Sequence, residues 1–330
     1  MRELTEDRAP VPTRARARLA CAAAIVVAVI GLAGCAEPEP EGPTDEEIAA
    51  EAAAEARAAR ASVEELVSAA EARLSQTLGV AESTITIRNA SPVADFPLSV
   101  NVSFMPDVAG SVLLDAASGL WATLTADGLT IESLVLNHEV NQWHKNTARW
   151  TTSEADPQTS GQIQLWARTV STNPGAEVSL TSNSVDPLTL TVYNLVPRDD
   201  YRTSGMAYRE IVDACVELGV DPAGARILIS VGGYEMRQEA SDPVSLDLIA
   251  AAEIADLQES AHLASVQSTA DDVTVSFVAA REGDHDVVLS DAAKESLVLP
   301  FRVGGLLDER LRVVVRYQDD LSTQTLWSQE

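Results

Sequence analysis

The stretch "DFPLSVNVSF", residues 95–104, alternates apolar residues with small polar ones. Its even-numbered positions from 98 to 104 are all apolar, and the positions between them carry Ser or Asn. A period of two places successive side chains on opposite faces of an extended chain. The stretch therefore predicts a β-strand with one buried face and one solvent-exposed face.

The same pattern returns twice farther along the chain. "VDPLTLTVYN" (residues 185–194) repeats the Pro-Leu start, and "DDVTVSFV" (residues 271–278) is a third copy without the proline. Each copy follows a shorter strand and a helix, and each precedes a second helix and a third strand. The closing strands are predicted at Thr130–His138, Arg226–Val231 and Arg310–Tyr317. In the third unit, Pro300 and the pair Gly304-Gly305 are expected to interrupt the second helix.

An α-β-β-α-β unit with one-sided strands packs as a two-layer sandwich, with the helices over the apolar face. The sequence therefore predicts an α+β fold of tandem two-layer α/β sandwiches, with units at residues 62–145, 146–240 and 241–330. This element order resembles that of the BON domain, which occurs in envelope lipoproteins and outer-membrane-associated proteins, often in tandem. The resemblance implies lipid association or envelope maintenance. The net charge of −27 argues against direct binding to anionic lipid headgroups.

The N-terminal segment has the composition of an export signal. Arginines precede an uncharged apolar run from Leu19 to Leu32, which has the length of a secretory h-region. Leu32, Ala33, Gly34 and Cys35 follow one another and resemble the lipobox of bacterial lipoprotein precursors. Residues 1–34 are therefore predicted to be a lipoprotein signal peptide, with Leu32, Ala33 and Gly34 recognised by the signal peptidase.

By this resemblance, Cys35 receives a diacylglyceryl group and becomes the first residue of the mature protein. Two acyl chains hold a protein stably in a membrane, whereas one chain does so only marginally. The expected location is the outer face of the bacterial cytoplasmic membrane, with the covalent lipid on Cys35 and no other cofactor. An uncleaved membrane-spanning segment, or an ordinary signal peptide with an incidental cysteine, is the alternative.

The segment after Cys35 is predicted to be a spacer and a helical stalk, over residues 35–61. A Glu/Pro stretch precedes Thr44, which with Glu47 forms a capping box. The Ala/Glu/Arg sequence that follows has high helix propensity and no apolar stripe beyond alanine. A second capping box, Ser62 with Glu65, predicts a new helix that packs on the first unit.

The sequence has no Gly-x-Ser-x-Gly elbow, no Ser-x-x-Lys dyad and no glycine-rich phosphate loop. His138, Glu139 and His144 resemble the start of a zinc-protease motif, but the histidines are six positions apart instead of four. We expect them to be exposed at a strand end, and no metal is predicted. Cys215 lies between apolar residues at helical spacing, which predicts a buried structural thiol.

One stretch departs from the acidic background of the chain. "HEVNQWHKNTARW", residues 138–150, concentrates aromatic and basic residues. Such groups on a loop can stack on sugar rings or bind an acidic partner. The candidate ligand-contact residues are Trp143, His144, Lys145, Arg149 and Trp150. The alternative is a linker between the first and second units, with its tryptophans packed in their interface.

These patterns predict a membrane-anchored cell-surface lipoprotein that acts as a non-enzymatic binding or scaffolding protein of the cell envelope. Its expected partners are the membrane, through the anchor, and an envelope protein or glycan, which would bind along a sheet edge or on the Ser/Thr/Asn face. The strong negative charge argues against nucleic acid. The competing class is an envelope hydrolase acting on peptidoglycan or glycan, with carboxylates brought together by the fold.

Overall fold

The computed structural model describes residues 44–88, 96–126, 128–141, 144–151, 158–183, 186–193, 203–231, 234–239, 244–256 and 260–329. The predicted signal peptide, the lipobox and Cys35 lie outside the described residues. The chain divides into two units, Met1–Ala52 and Ala53–Glu330, and the sheet described below belongs to the second. No helix among the described residues is long and apolar enough to cross a membrane.

The described elements repeat the order helix, strand, strand six times. The first three repeats are α1 Asp45–Ser75, β1 Val80–Ile87 and β2 Leu98–Phe104; α2 Gly110–Thr125, β3 Ile131–Asn141 and β4 His144–Thr151; α3 Thr159–Thr172, β5 Glu177–Asn183 and β6 Leu188–Tyr193. The fourth and fifth are α4 Thr203–Glu217, β7 Ala225–Val231 and β8 Tyr234–Gln238; α5 Leu246–Ala255, β9 Ala261–Ser268 and β10 Val273–Ala279. A two-stranded hairpin, β11 Arg281–Glu282 and β12 His285–Asp286, precedes the sixth repeat, α6 Asp291–Val303, β13 Leu311–Arg316 and β14 Thr323–Trp327.

The strands of the six repeats form one 12-stranded sheet in which the spatial order follows the order along the chain. The two strands within a repeat pair antiparallel, as in β3 and β4. The last strand of one repeat pairs in parallel with the first strand of the next, as in β4 and β5, and a helix makes each of these crossovers. We call the end of the sheet where β2 and β3 finish its upper edge.

The hydrophobic core lies between one face of the sheet and the helices. Alternate residues of neighbouring strands face the helices, and one such row runs from Ala148 through Leu180 and Leu190 to Ile227. These four side chains are at most 1% exposed. A fully buried Leu or Ile contributes about 1.5–3 kcal/mol. The alternating pattern of the strands is thus what holds the helices on this face.

The described helices lie on this one face, since most buried residues of the strands share it and the consecutive helices from α2 to α6 contact one another. On the opposite face, Ser265, Ser276 and Val314 of β9, β10 and β13 are also buried. The parallel strand pairs, however, alternate in direction along the sheet. Successive crossovers therefore alternate in hand, although right-handed crossovers are strongly preferred in general. Right-handed crossovers throughout would place helices on both faces. The alternation leaves the second face of the sheet without a described helix.

The mixed α/β architecture agrees with the predicted α+β class. The alternating stretches at residues 98–104, 188–193 and 273–279 are strands, as expected. Each predicted α-β-β-α-β set is followed by one more strand, namely β4, β8 or β14. Strand β4 spans the predicted boundary at residues 145 and 146, and the sheet continues across it.

The structure also tests the predicted helix boundaries and the predicted burial of Cys215. The capping box at Thr44 is present, because its backbone N–H donates to Glu47 Oε2 at 2.8 Å. A second helix does not begin at Ser62, since α1 is continuous from Asp45 to Ser75. The expected break at Pro300 is also wrong, since α6 continues to Val303 with the proline inside it. Cys215 is buried as predicted, and burial raises the pKa of its thiol to about 12.

Candidate binding face of the sheet

The face of the sheet opposite the helices, which we call the open face, is lined mainly by small polar side chains. They come from the strand positions between the buried ones. In β2 to β6 the open face comprises Ser99, Asn101, Ser103, Ser133, Val135, Asn137, Thr147, Arg149, Thr151, Ser179, Thr181, Asn183, Thr189 and Thr191, with Glu139, Lys145, Glu177 and Tyr193 at its upper edge. The alternation that buries the apolar residues thus also aligns hydroxyl and amide groups on this side.

One row of the open face crosses five neighbouring strands without a charge or an apolar residue. Paired in register, it consists of Ser103, Asn137, Thr147, Ser179 and Thr191. Neighbouring strands lie about 4.8 Å apart, so the row is about 19 Å long. It presents a regular line of hydrogen-bond donors and acceptors.

Hydrogen bonds between strands hold some of these side chains in place. Ser99 Oγ and Ser133 Oγ are 2.8 Å apart, and Asn137 Nδ2 donates to Asn101 Oδ1 at 2.8 Å. A side chain fixed in this way loses less conformational entropy when a ligand binds. This part of the open face is therefore ordered before any partner arrives.

Five arginines also lie on the open face, in β4, β7, β8 and β13: Arg149, Arg226, Arg237, Arg312 and Arg316. Three of them have carboxylate partners. Glu239 binds Arg226 at 2.9 Å and Arg237 at 3.4 Å, and Asp272 binds Arg312 at 3.2 Å.

Arg149 and Arg316 have no ion-pair partner within the described part of the chain, and both are exposed. The carboxylates of Glu82, Glu177 and Glu235 share the face with them. Because the whole chain carries a net charge of −27, the negative charge is concentrated elsewhere than on this face.

The candidate loop identified from the sequence is divided between the two faces. Trp143 lies outside the described residues. Lys145 is exposed at the upper edge and pairs with Glu139 at 2.5 Å, and His144 lies there beside Asn141 at 3.1 Å. Arg149 lies on the open face. The stretch is mostly strand β4, so alternate side chains point in opposite directions.

Trp150 lies in the core and is only 1% exposed. It stands opposite Leu134 of β3, and its Nε1 donates to Gln162 Oε1 of α3 at 2.8 Å. It therefore lies between elements of the first and second predicted units, and it does not share a surface with Arg149.

His138 is also buried, which corrects the expectation of an exposed strand-end histidine. It lies on the core face, 3.3 Å from Asn146 Nδ2, and Asn146 Oδ1 accepts the backbone N–H of Val178 at 2.8 Å. Burial lowers the pKa of His138, and the nearby carbonyls of Met105 and Pro106 act in the opposite direction. Sequence reasoning missed this cluster because its polar residues stand where apolar ones are expected.

A cavity of about 280 Å³ lies in the helix layer, between α3 and α4. The ion pair of Arg168 with Glu217 lies in its wall. The volume is below the usual range for ligand pockets, about 300–1,000 Å³. In the described part of the chain, no group of three or more His, Cys, Asp or Glu residues is arranged to hold a metal ion. We therefore take the open face as the candidate surface.

No family model, no curated protein and no solved structure matches this chain.

Proposed function

We propose that the protein is a membrane-anchored cell-surface lipoprotein that acts as a non-enzymatic binding and scaffolding protein of the cell envelope, and that its open face binds an extended glycan. The observation that carries this proposal is the row of hydroxyl and amide groups across β2 to β6.

The chemistry of the open face suits a glycan better than a protein. Ser and Thr hydroxyls and Asn amides both donate and accept hydrogen bonds, as sugar hydroxyls do. Stable protein interfaces instead need a well-packed apolar centre with aromatic anchors. Among the described residues of the β2–β6 part of the face, the only aromatic side chain is Tyr193, at the upper edge. A long polar chain lying across the strands is the ligand that meets these groups.

The anchor is proposed from the lipobox, with Cys35 carrying the diacylglyceryl group. The stalk supports this, because the described residues of α1 before Val63 are exposed and contribute nothing to the core. In the proposal, each of the three predicted units corresponds to two consecutive αββ repeats. Each pair, two helices on four strands, acts in this proposal as one of the tandem units expected from the sequence.

Glycan binding is tested by sedimentation of the protein with isolated cell-wall glycan. We expect Arg149→Ala to weaken binding, because hydrogen bonds from a charged group contribute about 1.5–3 kcal/mol, or roughly ten- to a hundredfold in Kd. Arg209→Ala is the matched control, since Arg209 is an exposed arginine of the helix layer. Equal binding by both variants and the unmodified protein would refute the open face as the site. Release of glycan fragments during the assay would favour the hydrolase alternative instead.

The anchor is tested by metabolic labelling with a fatty acid. The label is expected on the unmodified chain and absent from the Cys35→Ala variant. Equal labelling of the two chains would contradict the lipoprotein assignment.

A further inference from the structure

The two outermost strands of the sheet are covered to different extents. On β1, the outward backbone N–H of Ile85 donates to Glu71 Oε1 of α1 at 2.8 Å, so a helix side chain covers this edge. On β14, the only paired strand among the described residues is β13. Its outer row of backbone groups therefore faces away from every described strand.

A comparison of two tryptophans shows what β14 lacks. Trp150 stands opposite Leu134 in the second repeat, and Trp327 stands opposite Val313 at the matching position of the sixth. Gln162, from the helix of the following repeat, accepts the indole N–H of Trp150. The indole N–H of Trp327 has no acceptor among the described residues, and this side chain is only half-buried. Strand β14 thus resembles β4, except that no helix of a following repeat supplies an acceptor for its tryptophan.

The composition of β14 favours pairing with another strand. Its sequence, Thr-Gln-Thr-Leu-Trp, has no charge and no proline, and its first three residues are exposed. Charged residues and proline are usual devices that keep sheet edges from associating, and β14 has neither, although its pairing with β13 shifts register at Leu326. Because the chain carries a net charge of −27, two copies repel each other over most of their surfaces. The five residues of β14 themselves add no charge to a contact between two copies.

We propose that β14 pairs antiparallel with β14 of a second copy, joining two 12-stranded sheets into one across a two-fold axis. Such an interface uses the same surface on both copies and closes at a dimer. A head-to-tail assembly would need β1 as the second surface, where Glu71 already occupies the backbone N–H of Ile85. The dimer places the two open faces side by side as one continuous surface. The inference is independent of what binds there.

Disulfide trapping of the full-length chain in its own membrane tests this pairing. Single cysteines replace each residue of Thr323–Trp327 in turn. In an antiparallel pair of identical strands, one residue lies opposite its own copy, with the Cα atoms about 4.5–5.5 Å apart, which permits a disulfide. We expect a self-linked dimer with its maximum near Thr325, decreasing toward both ends of the strand. The chain without added cysteines gives the background, and Cys215 is buried.

Thr84→Cys, on the exposed face of β1, is the matched control and is expected to give no self-linked product. Mixing Thr84→Cys with Thr325→Cys chains tests the head-to-tail alternative. A Thr84–Thr325 product would overturn the proposal. So would the absence of self-linked product throughout β14, or products that contain only other proteins.

A charge variant provides a second measurement that does not depend on cysteine chemistry. We expect Thr325→Lys to weaken the dimer at least about tenfold, as measured by sedimentation of the detergent-solubilised full chain, because a lysine on an edge strand opposes its pairing. Thr84→Lys is expected to leave the dimer unchanged. A monomer at all concentrations in the unmodified chain, or equal effects of the two substitutions, would also overturn the proposal.

Discussion

Tyr208 and Gln238 form a buried polar cluster that joins the fourth repeat to the fifth. The Tyr208 hydroxyl donates to Gln238 Oε1 at 2.5 Å and accepts the backbone N–H of Val244 at 2.9 Å. Gln238 Nε2 in turn donates to the carbonyl groups of Pro222 and Ala225. Burial raises the pKa of Tyr208 well above its usual value, so the phenol stays protonated and remains a donor. Every other group in the cluster is hydrogen-bonded either to the Tyr208 hydroxyl or to the Gln238 side chain.

Tyr208→Phe is therefore expected to destabilise the fold by about 1–3 kcal/mol, because it leaves the Gln238 carbonyl oxygen and the Val244 N–H buried without partners. Urea unfolding followed by circular dichroism measures the change. Tyr193→Phe, at an exposed tyrosine, is the control, with an expected change below about 0.5 kcal/mol. A similar change in both variants would contradict the role of the cluster.

His138 predicts how stability depends on pH. Its folded-state pKa is lowered from 6.5 by burial, so between the folded and unfolded pKa values the unfolded chain binds more protons. The contribution of His138 is therefore fully present above pH 6.5 and is lost as the pH falls through 6.5 toward the folded pKa. We expect urea midpoints to decrease on this descent.

His138→Gln is expected to flatten this dependence, whereas His262→Gln, at an exposed histidine, should retain it. An unchanged pH dependence in His138→Gln would show that another group is responsible.

At the scale of secondary structure, α1 has two roles along its length. Its first turns are exposed, and Val67, Ala70 and Leu74 pack in the core. Glu71 lies within the packed part and accepts the N–H of Ile85 on the edge strand β1. The helix thus completes the core and protects a sheet edge with the same few turns.

Glu71→Ala is expected to destabilise the fold by about 1–3 kcal/mol and to expose the β1 edge, because the Ile85 N–H loses its acceptor. Under the proposed β14 dimer, a second exposed edge converts closed dimers into larger assemblies, which light scattering detects. Glu65→Ala, at an exposed position of the same helix, should change neither stability nor assembly size. Unchanged scattering and stability in Glu71→Ala would contradict the protective role.

The strands that the sequence predicted are those whose buried positions carry branched aliphatic or aromatic residues, such as Leu98, Val100 and Val102 in β2. In the missed strands β4 and β8 this pattern is interrupted by polar or small residues at buried positions, and β14 has no fully buried position. In β4 the buried positions are Asn146, Ala148 and Trp150. Asn146 pairs with backbone and His138 through tertiary contacts that no local pattern reveals. The sequence therefore predicted three long units, whereas the repeating unit of the structure is a single αββ repeat of about half that length.

The open face was more accessible to sequence reasoning than the candidate loop. The Ser/Thr/Asn positions follow directly from the alternation in β2, β5 and β6. Arg149 and Trp150 point to opposite faces because they are neighbours in a strand. The mixed composition of residues 144–151 did not predict this strand. Their opposite orientations are thus a consequence of tertiary pairing.

At the scale of the whole sheet, the structure is a linear array. Strand order follows chain order, and the helices from α2 to α6 contact their neighbours in sequence. In such arrays stability comes from each repeat and its interface with the next, and the repeated surface provides an extended binding area. Here the helices occupy one face, so the open face is the surface that all six repeats share.

The central claim is that the open face is the binding surface of an envelope scaffold. It is tested most directly by placing a photo-crosslinking amino acid at Thr181, on the open face, and separately at Ser118, on the exposed side of α2. After irradiation of intact cells, we expect the Thr181 chain to yield a product that resists protease and is released by glycan-degrading enzymes, and the Ser118 chain to yield none. Glycan products from both positions, or from neither, would contradict the claim.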